Sequence, residues 1–192
     1  ATKTVNLHVT VGAVGDKPTV TTTSASGAED TAIALHVTAE VPGMESVASV
    51  TISGIPDGAV LSAGTDNGDN TWTLTPSQLA GLKITPPEDS DADITLSVTA
   101  ISSDGTTSDP STLFVDVTAV ADAPTLGVSG VSGDEDTAIA LGISSALTDT
   151  DGSESLTSLT VSGVPTGATL SAGTDNGDGT WTIPVEDLSG LK

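Results

Sequence analysis

Gly54-Ile-Pro-Asp-Gly-Ala-Val-Leu-Ser-Ala-Gly-Thr-Asp-Asn-Gly-Asp-Asn-Thr-Trp72 returns, with few changes, from Gly163 to Trp181. Two turn formers sit inside it. Ile-Pro-Asp-Gly presets φ through its proline, and Asp-Asn-Gly-Asp offers residues that accept left-handed backbone. Around this stretch lie short runs in which apolar residues alternate with Thr or Ser: Ala32-Ile-Ala-Leu-His-Val-Thr38, Ala48-Ser-Val-Thr-Ile-Ser53, Ile94-Thr-Leu-Ser-Val-Thr-Ala-Ile101 and Thr112-Leu-Phe-Val-Asp-Val-Thr118. A period of two puts one face of each run toward a core, and no segment sustains a helical period. The chain reads as all-β.

A second stretch fixes the phase. Gly27-Ala-Glu-Asp-Thr-Ala-Ile-Ala-Leu35 recurs as Gly133-Asp-Glu-Asp-Thr-Ala-Ile-Ala-Leu141, and Val9 to Pro18 aligns with Val115 to Pro124 at the same offset. The Gly54 stretch recurs three residues later than that offset requires, so a three-residue insertion lies between the two anchors. A repeat near 106 residues exceeds ordinary solenoid units and suits one small β domain per repeat. The expected layout is a last strand of a preceding repeat in 1–16, a complete repeat in 17–122, and a second repeat in 123–192 that stops before any counterpart of Ile84 to Val120. Each repeat is read as an immunoglobulin-like β-sandwich of about seven strands, arranged in tandem.

The composition narrows function. Twenty-six Asp and Glu stand against 4 Lys and Arg, a formal net charge of −22, which disfavours nucleic acid and anionic membrane as partners. With 36% hydrophobic residues the charge is expected in loops around a real core rather than in a disordered chain. Aromatic residues make up 2%, too few for a ring-lined pocket. Cysteine is absent, so disulfides and thiolate metal sites are excluded, and hard cations held by carboxylates are the natural staple. No run approaches the roughly 20 apolar residues of a membrane helix, and the N-terminus lacks the order of a signal peptide. The fragment is read as internal to something longer.

Successive sandwich strands run in opposite directions, which assigns loops to poles. The turn Gly27–Asp30 and the loop Glu88-Asp-Ser-Asp-Ala-Asp93 are expected at one pole of the first repeat. The insertion gives the second repeat the loop Leu147-Thr-Asp-Thr-Asp-Gly-Ser-Glu154 near its start. Calcium takes six to eight oxygen ligands, so a site needs carboxylates from several loops. The expected metal ligands are Glu29, Asp30, Glu88, Asp89, Asp91 and Asp93 from the first repeat, Asp122 from the linker, and Asp149 and Asp151 from the second. Left without a cation, so many like charges would repel one another. The order resembles the cadherin arrangement, in which acidic loops, a linker Asp and an Asp-X-Asp of the next domain clamp calcium. The plain alternative is that acidic loops only keep the chain soluble.

Other candidates read as structure. Thr174-Asp-Asn-Gly-Asp-Gly-Thr180 lacks the closing Glu of an acidic calcium loop and carries hairpin dipeptides, so a turn is favoured. Trp72 and Trp181 are expected to anchor their own cores rather than stack sugars. His8 and His36 belong to no motif. No arrangement of nucleophile, base and acid appears, and the chain is read as a non-enzyme. The start of the first repeat, Val14-Gly-Asp-Lys-Pro18 with Ala39-Glu-Val-Pro-Gly-Met-Glu-Ser46, lacks an Asp-X-Asp, so weaker calcium binding is expected there.

Val120-Ala-Asp-Ala-Pro-Thr-Leu126, Asp134-Glu-Asp-Thr-Ala-Ile139, Leu147 to Glu154 and Leu170-Ser-Ala-Gly-Thr-Asp-Asn-Gly-Asp-Gly-Thr-Trp-Thr182 together resemble the tandem repeats of giant repeats-in-toxin adhesins, agglutinins exported by type I secretion and associated with biofilms. The resemblance spans essentially the whole chain. It implies an extracellular, cell-surface extender that projects ligand-binding domains for attachment, folding outside the cell where calcium is abundant. Two other readings compete: an adhesive module that itself binds glycan or another copy, and an accessory module of a secreted hydrolase. The expected partners are neighbouring repeats of the same chain, together with strand exchange with another copy through Val5-Asn-Leu-His-Val-Thr-Val11.

Overall fold

Thr-rich alternation produces the strands, and the apolar half of each run produces the core. The computed structural model describes residues 1–10 and 14–192, which divide into two units, Ala1–Ala119 and Val120–Lys192. In the first unit the strands are β1 (Thr19–Thr23), β2 (Ala25–Ala28), β3 (Ile33–Ala34), β4 (His36–Glu40), β5 (Val47–Ser53), β6 (Val60–Leu61), β7 (Thr65–Asp66), β8 (Thr71–Leu74), β9 (Lys83–Thr85), β10 (Ile94–Ser102) and β11 (Ser111–Thr118). One sheet has the order β2-β11-β10-β5-β8-β7, and the others are β3-β9-β6 and β1-β4. The fold is all-β with several sheets and no barrel, consistent with a β-sandwich.

The inward faces close on one another. Val50 and Ile52 of β5, Leu96 and Val98 of β10, and Leu113 and Val115 of β11 come from the large sheet; Ile33, Val37, Leu61 and Ile84 come from the others. All ten are buried, and each Leu or Ile removed from water contributes about 1.5–3 kcal/mol. Thr and Ser on the alternate positions face outward, as the period of two requires.

Two departures from the sequence expectation have clear causes. The run Ala32 to Thr38 is split at Leu35, whose N–H donates to the Leu82 carbonyl 2.8 Å away, so β3 and β4 join different sheets. Residues 1–10 and 14–16 carry no strand, and Val5, Leu7 and Val9 stand exposed. Alternation alone makes no strand until a neighbouring edge supplies ladder bonds. The remainder of the expected strand, Val11 included, lies outside the described residues.

The Asn-Gly segment is the expected hairpin turn. Thr65 pairs with Thr73 across it, Asn67 N–H donates to the Thr71 carbonyl at 3.0 Å, and the Asp66 carboxylate accepts from Gly68 N–H at 2.8 Å. Gly54 is required where it stands. Its φ is +84°, and a Cβ there would lie 2.7 Å from the Thr95 carbonyl oxygen.

The second unit carries β12 (Thr125–Ser129), β13 (Gly142–Ala146), β14 (Ser158–Ser162), β15 (Thr174–Asp175) and β16 (Thr180–Pro184). Its sheets are β12-β13 and β14-β16-β15. By repeat position these match β1, β4, β5, β7 and β8. Its buried core is Trp181, Ile183, Leu188 and Leu191, with Leu159 and Val161 half-buried against it. Trp181 is thus a core residue, and Trp72 packs partly buried against the first core. Among the described residues no helix is long and apolar enough to cross a membrane.

Candidate metal centre

The turn that carries Glu29 and Asp30 is built by its own residues. Thr31 Oγ1 donates to the Ala28 carbonyl at 2.7 Å, and Asp30 takes a left-handed φ of 55°. The second repeat makes the same turn: Thr137 Oγ1 donates to the Asp134 carbonyl at 2.6 Å, with Asp136 at φ 58°. Asp accepts this region better than most residues because its short polar side chain bonds locally. Glu29 is buried, and its N–H donates to the Thr118 carbonyl at 3.0 Å, which ties the turn to the end of β11.

The expected meeting of the two loops of the first unit occurs. Asp89 N–H donates to Asp30 Oδ1 at 3.0 Å, and carboxylate oxygens of the two residues come within 4.8 Å. Asp89 is also left-handed, with φ 52°. Asp93 is engaged differently, because its Oδ1 accepts from Val117 N–H at 3.0 Å and fastens the loop to β11. Asp91 is half-buried and Glu88 is exposed.

In the second unit the inserted loop folds around its acids. Buried Asp149 accepts from Asp151 N–H at 2.8 Å through one oxygen and from Ser153 Oγ at 2.8 Å through the other. Asp151 in turn accepts from Ser153 N–H at 2.8 Å. Carboxylate oxygens of Asp149 and Asp151 lie within 4.8 Å. The Thr148 hydroxyl donates to the Ala123 carbonyl at 2.8 Å, so the loop is held against the residues that follow Asp122.

Two residues have a role that the sequence reading missed. Glu154 Oε1 accepts from Asp122 N–H, and at the start of the first unit Glu45 Oε2 accepts from Asp16 N–H at 3.3 Å. Glu45 and Glu154 hold the same repeat position, so each repeat fastens its leading Asp with its own Glu. The recurrence of Glu-Ser at 45–46 and 154–155 was the available signal. The hydroxyl of Ser102 and the N–H of Thr106 hold the exposed Asp104 carboxyl below its usual range, and Lys17 pairs with Asp109 at 2.6 Å.

The donors gathered in each unit are carboxylate oxygens, with hydroxyls and carbonyls beside them and neither imidazole nor thiolate among them. Such acidic clusters can hold a metal ion, and an all-oxygen set suits a hard dication. No protein-family model matches the chain, and comparison with curated proteins found no significant relative.

Proposed function

We propose that the chain is a run of calcium-binding β-sandwich spacer modules from the extracellular stalk of a bacterial adhesin, with no catalytic step of its own. The observation that carries the reading is the Asp149-Thr-Asp151 loop, in which two carboxylates within 4.8 Å are held in place by the loop's own N–H and hydroxyl groups. Like charges gathered this closely are costly unless a cation joins them. Calcium supplies that charge and accepts several carboxylates, carbonyls and waters at once. Asp149 and Asp151 would hold it; Asp30 and Asp89 form a second close pair in the first unit.

The stalk part of the reading comes from the sequence. Acidic groups precede and follow the linker in the chain, near-identical modules repeat, and the motifs resemble adhesin extenders. Dication uptake beside the linker would stiffen it.

Calorimetric titration of the 192-residue chain tests the metal. Binding is expected with a dissociation constant of about 10⁻⁴–10⁻³ M, the range of extracellular calcium modules. Absence of heat together with an unchanged melting temperature between chelator and millimolar calcium would remove calcium from the reading. X-ray scattering under the same two conditions tests the stiffening, since superimposable distance distributions would leave a calcium binder that is no rigid spacer. A specific hit on a glycan array would replace the spacer by an adhesive module.

A further inference from the structure

We propose that Asn67-Gly68 and Asn176-Gly177 are spontaneous deamidation sites held closed by their hairpins, so that each repeat converts its asparagine to aspartate or isoaspartate only when its turn opens. Asn-Gly suits this chemistry because glycine puts no side chain in front of the attacking nitrogen. The Gly68 nitrogen, once its proton has passed to a base in solution, attacks Asn67 Cγ. A cyclic imide forms, the bond from Cγ to Nδ2 breaks, and that nitrogen takes up a proton and leaves as ammonia. Water then adds to either imide carbonyl and gives aspartate or isoaspartate.

Both reacting groups are tied down in the folded turn. Asn67 Nδ2 donates to Thr71 Oγ1 at 2.9 Å and to Thr73 Oγ1 at 3.1 Å, which anchors the amide along β8. Thr71 gives its one hydroxyl proton to Asp69 Oδ1, 2.5 Å away, and is left to accept from the amide. The attacking nitrogen is held as well. Gly68 N–H donates to Asp66 Oδ1 at 2.8 Å, and an amide losing its proton beside a carboxylate would set two negative charges together. Asn67, Gly68, Asn176 and Gly177 are all exposed, so these bonds, and not exclusion of water, hold the reaction off.

The second unit builds the same cage from its own residues. Asn176 Nδ2 donates to Thr180 Oγ1 at 3.0 Å and to Thr182 Oγ1 at 3.2 Å. Thr180 Oγ1 donates to Asp178 Oδ1 at 2.6 Å, and Gly177 N–H to Asp175 Oδ1 at 2.9 Å. Beside the cage the repeats differ, since Asn70 of the first is Gly179 in the second. Every bond to the two reacting groups is nevertheless present in both.

Conversion runs one way. Isoaspartate adds a methylene to the main chain, and aspartate has no amide to donate to two threonines. The pairing of Thr65 with Thr73, or of Thr174 with Thr182, is then lost or weakened, and a repeat that has opened stays marked.

The experiment incubates the whole chain in mildly alkaline buffer, with and without guanidinium chloride. Cleavage after Lys83 leaves the two sites on different peptides, and mass spectrometry reads ammonia loss and isoaspartate at each. Both asparagines should convert about tenfold or more slowly in the folded chain, because the rate follows the open population. Thr73→Val removes one acceptor and should speed Asn67 by roughly twofold to tenfold, the equivalent of one neutral hydrogen bond, with Asn176 of the same molecule as the internal clock. Thr73→Ser keeps the hydroxyl and should hold the parent's rate, and Thr182→Val should speed Asn176 alone. Equal rates in the folded and denatured parent overturn the proposal, as does a faster folded chain, the result expected if Asp66 took the glycine proton. No acceleration by Thr73→Val and Thr182→Val, or equal acceleration by Thr73→Val and Thr73→Ser, overturns it too. If Thr73→Val unfolds its unit, Thr182→Val and the two states of the parent decide. None of these readouts depends on calcium, so the proposal can fail while the metal reading stands.

Discussion

Replacing Asp149 by Asn separates a metal ligand from a structural cap, because the two roles predict different signs. Asn keeps one carbonyl oxygen to accept from Asp151 N–H, and its amide can donate to Ser153 Oγ, whose proton turns away. Both hydrogen bonds survive in neutral form. A bond to a charged group contributes about 1.5–3 kcal/mol and a neutral one about 0.5–1.5, so the two together weaken by about 2 kcal/mol. Against that, the repulsion between two carboxylates within 4.8 Å of each other is removed. At that limit it amounts to about 0.9 kcal/mol at the dielectric of water and about 3.5 kcal/mol at an effective value of 20. The terms nearly cancel, and in chelator the variant should melt within a few degrees of the parent. In calcium a hundredfold excess over Kd gives the parent about 2.7 kcal/mol, which the variant forfeits. For a unit as short as Val120–Lys192 that is a loss of about 11–22 °C. Differential scanning calorimetry in both buffers reads it. An equal drop in chelator and in calcium would refute the metal role and leave Asp149 as a loop cap.

Asp178 should titrate low because the hydroxyl and N–H of Thr180 both donate to its carboxylate. A depressed folded pKa means the contribution is present above the ordinary value of 3.8 and is lost as the pH falls through the folded midpoint, so Thr180→Val should move the carboxyl resonance midpoint upward. An unmoved midpoint in the NMR titration would contradict the assignment. Leu96→Ala, at a site with no exposed surface, should cost about 2–5 kcal/mol and lower the urea midpoint of the first unit. Gly54→Ala adds a clash with the Thr95 carbonyl to the left-handed strain, whereas Gly163→Ala carries the strain alone; the first should therefore lose at least about 1 kcal/mol more. Equal losses in chemical denaturation would show that the crowding at Gly54 relaxes freely.

The strands β5, β10 and β11 were legible because alternation over six or more residues is a local signal that burial on one face enforces. The Asn-Gly hairpin was legible for the same reason, its turn residues stating their own conformation. The approach of Asp30 to Asp89 followed from strand direction alone. Other features depend on long-range pairing. Thr19 to Ala28 leaves one sheet after Thr23 and enters another at Ala25, and nothing in Thr-Ser-Ala marks the change. The engagement of Asp93 with Val117 was hidden among four neighbouring acids and hydroxyls of similar look. Glu154 was read as part of an acidic loop, since a side chain that accepts from a distant backbone N–H leaves no periodic trace. Residues 5–9 carry a strand's alternation but show none of its structure, because a ladder needs two edges.

The parallel pairing of β2 with β11 bears on how the first unit carries a load. Ala25 to Ala28 lies beside Val115 to Thr118 with both strands pointing the same way, one near the start of the unit and the other at its end. Tension on the two chain ends pulls these strands in opposite directions along their common axis. The bonds between them are then strained side by side and must fail together, whereas a hairpin pulled from its open end parts one bond at a time. The antiparallel pairs buried behind this clasp feel the pull only after it has slipped.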